Sequence, residues 1–124
     1  MFKKNNSTRL ESIIGTGSSF RGDVDVKGTL RVDGHIEGNI TAGYVIVGEQ
    51  ADIKGNITAN GIAVGGKVEG NLNAGEIVEI TTKAYVCGDV ITGKLSIAEG
   101  GTFNGKVLMD KSKTNIFEFQ AKEN

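Results

Sequence analysis

Proline and tryptophan are absent from the chain, and cysteine and histidine occur once each. Each scarcity closes off a class of protein. With Cys87 alone, no intrachain disulfide forms, and a reducing cytosol is the expected compartment. Catalytic zinc usually takes three protein ligands, with more than one His or Cys among them, so His35 and Cys87 do not make a metal centre. The longest apolar run is Tyr44-Val45-Ile46-Val47. A membrane-spanning helix needs roughly 20 apolar residues, and a secretory signal an apolar stretch of about 7–15. After Lys3 and Lys4 the chain is polar to Arg9, so neither is expected. No GxxxxGK[ST] phosphate loop is present, and no calcium-binding nonapeptide repeat. No cofactor and no metal are therefore expected. The formal net charge of −1, without a basic stripe, argues against a nucleic-acid partner. Aromatic residues make up only 6%, so the core is not built on large rings.

What the chain has is glycine, 19 residues of it, set among valine and isoleucine at wide intervals. Six times the order is glycine, polar, aliphatic: Gly22-Asp23-Val24, Gly38-Asn39-Ile40, Gly55-Asn56-Ile57, Gly70-Asn71-Leu72, Gly88-Asp89-Val90 and Gly105-Lys106-Val107. The spacings are 16, 17, 15, 18 and 17 residues. Two residues before each glycine stands another apolar residue, from Phe20 through Ile36, Ile53, Val68 and Val86 to Phe103. Further upstream sits an apolar pair with one residue between, such as Leu30 and Val32 or Val45 and Val47.

Each unit thus holds three short segments of period-2 alternation, which puts alternate side chains inside and outside. The segments are too short for helices, and a unit of this length has no room for a strand plus a crossover helix. The pattern predicts an all-β parallel solenoid of about six coils. Each coil has three strands and three corners, in three sheets about 4.8 Å from rung to rung, making a rod about 30 Å long. Glycine marks one corner, where a Cβ would be in the way, and Asp or Asn follows it in five of six units. In register, these side chains can stack as a ladder. Length changes fall in the corners: Val64 to Val68 is shorter than Val47 to Ile53, and Leu72 to Val78 longer than Ile40 to Val45.

A solenoid has two terminal coils whose strand edges invite pairing unless they are covered. The first coil offers Ile13, Ile14 and Phe20, and the last offers Phe103, Val107, Leu108 and Met109. These serve as core residues or as end-to-end contacts. Phe103 stands out, a ring where the middle units place Ile or Val. Parity puts His35 outward, in a column with Ser19, Asp52, Lys67, Tyr85 and Thr102, as a solvated surface residue. Cys87 points outward in line with Arg21, Glu37, Lys54, Glu69 and Asn104. A further outward column runs Ile13, Arg31, Ile46, Ala63, Glu79, Ser96, with a small apolar patch at Ile46 and Ala63. No catalytic residue is assigned.

The stretch Gly28-Thr29-Leu30-Arg31-Val32-Asp33-Gly34-His35-Ile36-Glu37-Gly38-Asn39-Ile40 resembles the bactofilins, as does Ile14-Gly15-Thr16-Gly17-Ser18-Ser19-Phe20-Arg21-Gly22. The resemblance covers roughly residues 12–109. It implies a right-handed triangular β-helix with short disordered tails at 1–11 and 110–124. It further implies nucleotide-independent, nonpolar filaments joined head-to-head and tail-to-tail, lying on the inner face of the cytoplasmic membrane. There the family recruits cell-wall or morphogenesis proteins, or a paralogue. Many relatives begin Met-Phe followed by a basic or polar residue, a membrane-targeting tip that Met1, Phe2, Lys3 and Lys4 match. Many also carry a proline-rich C-terminal tail, which this chain lacks. Here Ile116, Phe117 and Phe119 are apolar in a polar segment, expected to fold back over the last coil or to act as a docking motif. Two alternatives stand beside the polymer. One is a left-handed β-helix acyltransferase of hexapeptide repeats, whose regular 18-residue coil this spacing does not keep. The other is an oligomeric adaptor that forms no filaments.

Overall fold

The computed structural model describes residues 10–109 and 118–119, and among them it has fifteen strands and no helix. One face stacks six short parallel strands: β2 (Ser19–Arg21), β4 (His35–Glu37), β6 (Asp52–Lys54), β8 (Lys67–Glu69), β10 (Tyr85–Cys87) and β13 (Thr102–Asn104). Each pairs with the next in unbroken register. The other two faces are carried by β1 (Leu10–Ile14), β3 (Val24–Val32), β5 (Ile40–Val47), β7 (Ile57–Val64) and β9 (Leu72–Ile80), again parallel. Two short strands, β11 (Val90–Thr92) and β12 (Leu95–Ile97), then lie on β9, and β14 (Val107–Met109) lies on β11. The result is a parallel β-solenoid with six rungs on each face, five steps of stacking from first to last.

The sequence predicts three separate sheets, and the structure has two. The long strands β3, β5, β7 and β9 run through one corner of the triangle without losing their ladder, so two faces form a single sheet. The inward residues just before this corner are Val26 in β3, half-buried, and then Ala42, Ala59 and Ala74, buried and small. Register shifts between Val26 and Thr29, and between Ala59 and Gly61, take up the bend. In the fifth rung the continuity breaks. There the inward residue is Thr92, fully buried, whose Oγ1 donates to the Lys94 carbonyl at 3.0 Å and accepts from the Lys94 N–H at 3.3 Å. Those bonds satisfy a buried hydroxyl and close a local turn at Gly93–Lys94, which separates β11 from β12.

The core is one apolar column of aliphatic ladders. Ile36, Ile53, Val68 and Val86 stack directly on one another with no exposure, and Ile40, Ile57, Leu72 and Val90 do the same on the next face. The glycine corner behaves as its spacing requires. Gly22, Gly38, Gly55, Gly70, Gly88 and Gly105 all have φ between +130° and +153°. From Gly38 onward, a Cβ at each would run into the carbonyl oxygen of the glycine one rung below. The residue after each glycine builds the ladder. Asn39 Oδ1 accepts the Asn56 N–H at 3.0 Å, Asn56 Oδ1 that of Asn71 at 2.9 Å, and Asn71 Oδ1 that of Asp89 at 2.9 Å. Asp23 and Asp89 continue it at either end, toward Asn39 at 3.1 Å and Lys106 at 3.2 Å.

Candidate polymerisation ends

The head of the rod is formed by β1, β2 and the first half of β3. Among the described residues, nothing pairs with the outer edge of β2, or with that of Val24–Val26 in β3. Such edges present unpaired N–H and C=O groups. Phe20 lies here, on the apolar ladder that continues through Ile36, and with no rung beneath it the ring is 39% exposed. Ile14 is half-buried and packs against the core. Ile13 pairs with Arg31 in the ladder between β1 and β3.

The tail is formed by β12, β13 and β14. Phe103 ends the ladder that Phe20 begins, stacking on Val86, but it is only 7% exposed. Its ring fills the last rung rather than standing open. Val107 is buried as well and Met109 packs half-buried against the core, whereas Leu108 alternates outward and is 51% exposed. The candidates therefore fall at the two ends, three at the head and four at the tail. Of those whose side chains are described, only Phe20 and Leu108 offer large apolar surface to a neighbour.

One tail element was only half legible. A two-residue strand, β15 (Glu118–Phe119), pairs antiparallel with β14, Val107 facing Phe119 and Leu108 facing Glu118. The chain thus turns back onto its last rung, one of the two outcomes expected of the apolar residues there. Ile116 and Phe117 lie outside the described residues, as do Met1, Phe2, Lys3 and Lys4.

The flanks carry charge arranged for a soluble surface. On the short-strand face, Arg21, Glu37, Lys54 and Glu69 alternate in sign up one column. Arg21 Nε meets Glu37 Oε1 at 3.2 Å, and Lys67 Nζ meets Glu69 Oε2 at 3.3 Å. His35 stacks between Ser19 and Asp52 as its parity requires. Its Nε2 lies 3.4 Å from Glu37 Oε2 and its Nδ1 3.8 Å from Asp52 Oδ2. The hydrogen bond from His35, and then the charge of Arg21, hold the Glu37 carboxyl below its ordinary pKa. Cys87 is exposed, with Glu69 and Asn104 on either side in its column. Among the described residues no three His, Cys, Asp or Glu side chains gather as a metal site would need. No helix there is long and apolar enough to cross a membrane.

Sequence reasoning missed a contact on the long-strand faces. Tyr44 lies over Gly61, where a Cβ would come within 2.7 Å of the ring, and its hydroxyl donates to Glu76 Oε1 at 2.9 Å. It spans three rungs along the edge of an apolar groove of about 370 Å³ that includes Ile46, Ala63 and Ile77. That hydrogen bond, and then burial, raise the Tyr44 phenol above its ordinary pKa. Only the glycine at position 61, where neighbouring rungs carry Tyr44 and Ile77, hints at it in the sequence.

A family profile described as bactofilin, polymer-forming cytoskeletal, matches residues 12–108. Among curated proteins, the chain is similar to bactofilin BacP of Myxococcus xanthus (strain DK1622), 30% identical over 99 residues, or 79% of this chain and 41% of BacP. It is also similar to bactofilin BacO of the same organism, 26% identical over 110 residues, or 88% of this chain and 87% of BacO. The chain thus spans about two fifths of the length of BacP and most of that of BacO. No solved structure gives a significant match.

Proposed function

Because this chain belongs to the bactofilin family of polymer-forming cytoskeletal proteins, we propose that it is a non-enzymatic scaffold. In this reading it assembles end to end, without nucleotide, into nonpolar filaments on the inner face of the cytoplasmic membrane. Met1, Phe2, Lys3 and Lys4 hold it to lipid, and its flanks recruit cell-wall or morphogenesis proteins or a paralogue. The observation that carries the reading is the pair of open ends on a column whose inner strands are paired on both sides. Inner strands exchange hydrogen bonds with both neighbours, while β2 and half of β3 at the head, and β13 at the tail, are left with an unpaired outer edge among the described residues. Such edges are best satisfied by another copy, and joining like ends gives the closed, two-fold junctions that a nonpolar filament needs.

The test is electron microscopy and sedimentation of the purified protein without nucleotide, beside two variants. Phe20→Arg places a charge on an exposed ring position, so the fold survives while head junctions are lost, and the species shrink to at most dimers. Phe103→Arg buries a charge in the last rung and removes tail junctions at some cost in stability, which far-ultraviolet circular dichroism follows. Filaments of unchanged length from both variants rule out the end-to-end arrangement.

A further inference from the structure

The two ends are not equally open. At the tail, β15 already occupies part of the edge that a next copy would need, and among the described residues its pairing with β14 is the one antiparallel contact, the other strand pairs being parallel. We propose that β15 is a built-in cap that competes with a second copy of the chain for the outer edge of β14, and so regulates growth at the tail. The inference rests on the end-to-end reading above.

The argument is one of symmetry. A tail-to-tail junction is related by a two-fold axis perpendicular to the rod. When that axis lies along the normal of the β14 face, it maps the face onto itself and reverses the strand. The partner's β14 then meets this β14 antiparallel. β15 has the same sense, on the same edge, opposite the same residues Val107 and Leu108. A strand has only one set of outward N–H and C=O groups, so β15 and the partner's β14 cannot both be seated. Only residues 110–117 separate β14 from β15, so the cap binds as an intramolecular ligand at high effective concentration. It is nonetheless short, two residues on one face, and among the described residues nothing pairs with the outer edges of β12 and β13. A second copy offers all three faces at once and can displace it. Head junctions meet no such competitor among the described residues, so capped copies accumulate as head-to-head dimers.

The test compares the full-length chain with a chain ending at Met109 and with the double variant Glu118→Pro, Phe119→Pro. The prolines remove both β15 backbone donors while keeping the tail. Sedimentation across a concentration series reads the threshold for polymers longer than dimers. Both variants should lower that threshold about fivefold or more, the factor that one to two net backbone hydrogen bonds represent, and deplete the dimer. A threshold that is unchanged or raised in both overturns the cap. If the full-length chain and both variants all remain monomeric while circular dichroism shows them folded, the polymer reading itself falls, and the cap with it.

Discussion

Glycine at the corner is the residue on which rung spacing depends. Gly55 combines φ of +148° with a Cβ direction aimed at the Gly38 carbonyl oxygen, so alanine there meets both backbone strain and a collision. Gly55→Ala should destabilise the fold by about 2–4 kcal/mol, read as a lowered midpoint in urea unfolding. The neighbouring Asn56→Ala removes only the acceptor of one exposed ladder bond and should cost about 0.5–1.5 kcal/mol. Equal costs for the two would show that the glycine column is not sterically required. The acid chains in the ladder, Asp23 and Asp89, make the same bond as asparagine because only the Oδ1 acceptor is used.

At the scale of elements, the solenoid is held by identical strands repeated and by a few contacts that tie unlike rungs together. The bond from Tyr44 to Glu76 links residues 32 apart in sequence and leaves Gly61 sheltered between them. Because the bond needs the phenol protonated and raises its pKa, the sign is fixed. Its stabilisation is present below the ordinary phenol value of about 10 and is lost as pH rises through the raised value. Near-ultraviolet absorbance should therefore show tyrosinate forming in part above the ordinary range, and Tyr44→Phe should abolish that late step. The same variant should cost at most about 1 kcal/mol, since the bond lies at the surface. A titration curve that keeps its late step in Tyr44→Phe would assign the shift elsewhere. Thr92 shows the opposite device: a buried hydroxyl satisfied within its own turn ends a ladder that Val26, Ala42, Ala59 and Ala74 at the equivalent places allow to continue.

At the scale of the whole molecule, the proposed function would couple membrane affinity to assembly by number. One Met-Phe-Lys-Lys tip gains about 1 kcal/mol per lysine near an anionic surface, plus shallow insertion of two apolar side chains, which is weak for a single chain. The proposed filament would repeat the tip along its length, and avidity would make the array bind where one copy does not. Deleting residues 1–4 should release the protein from anionic liposomes in a flotation assay while leaving filaments intact under the microscope. Continued flotation of the truncated polymer would place the lipid contact elsewhere. The alternating charges on the short-strand face would, in the proposed filament, favour growth at the ends over lateral clumping.

Much of this architecture is legible in the sequence. The recurrence of Gly-Asn-Ile units set the rung length, the inward columns from Ile36 to Val86, the outward placement of His35 and Cys87, and the asparagine ladder. All of these follow from the two-residue period of a strand and from stacking repeats in register. The tertiary structure decided what that period does not encode. It decided whether a corner keeps its ladder, which turned on one buried threonine, Thr92, where other rungs carry valine or alanine. It brought Tyr44 to Glu76 across three rungs, buried Phe103 while leaving Phe20 open, and seated Glu118–Phe119 on β14. Alternation fixes the side of the sheet on which a residue lies. Contacts between rungs and at the ends depend on distances in space, and these exist only once the column has wound.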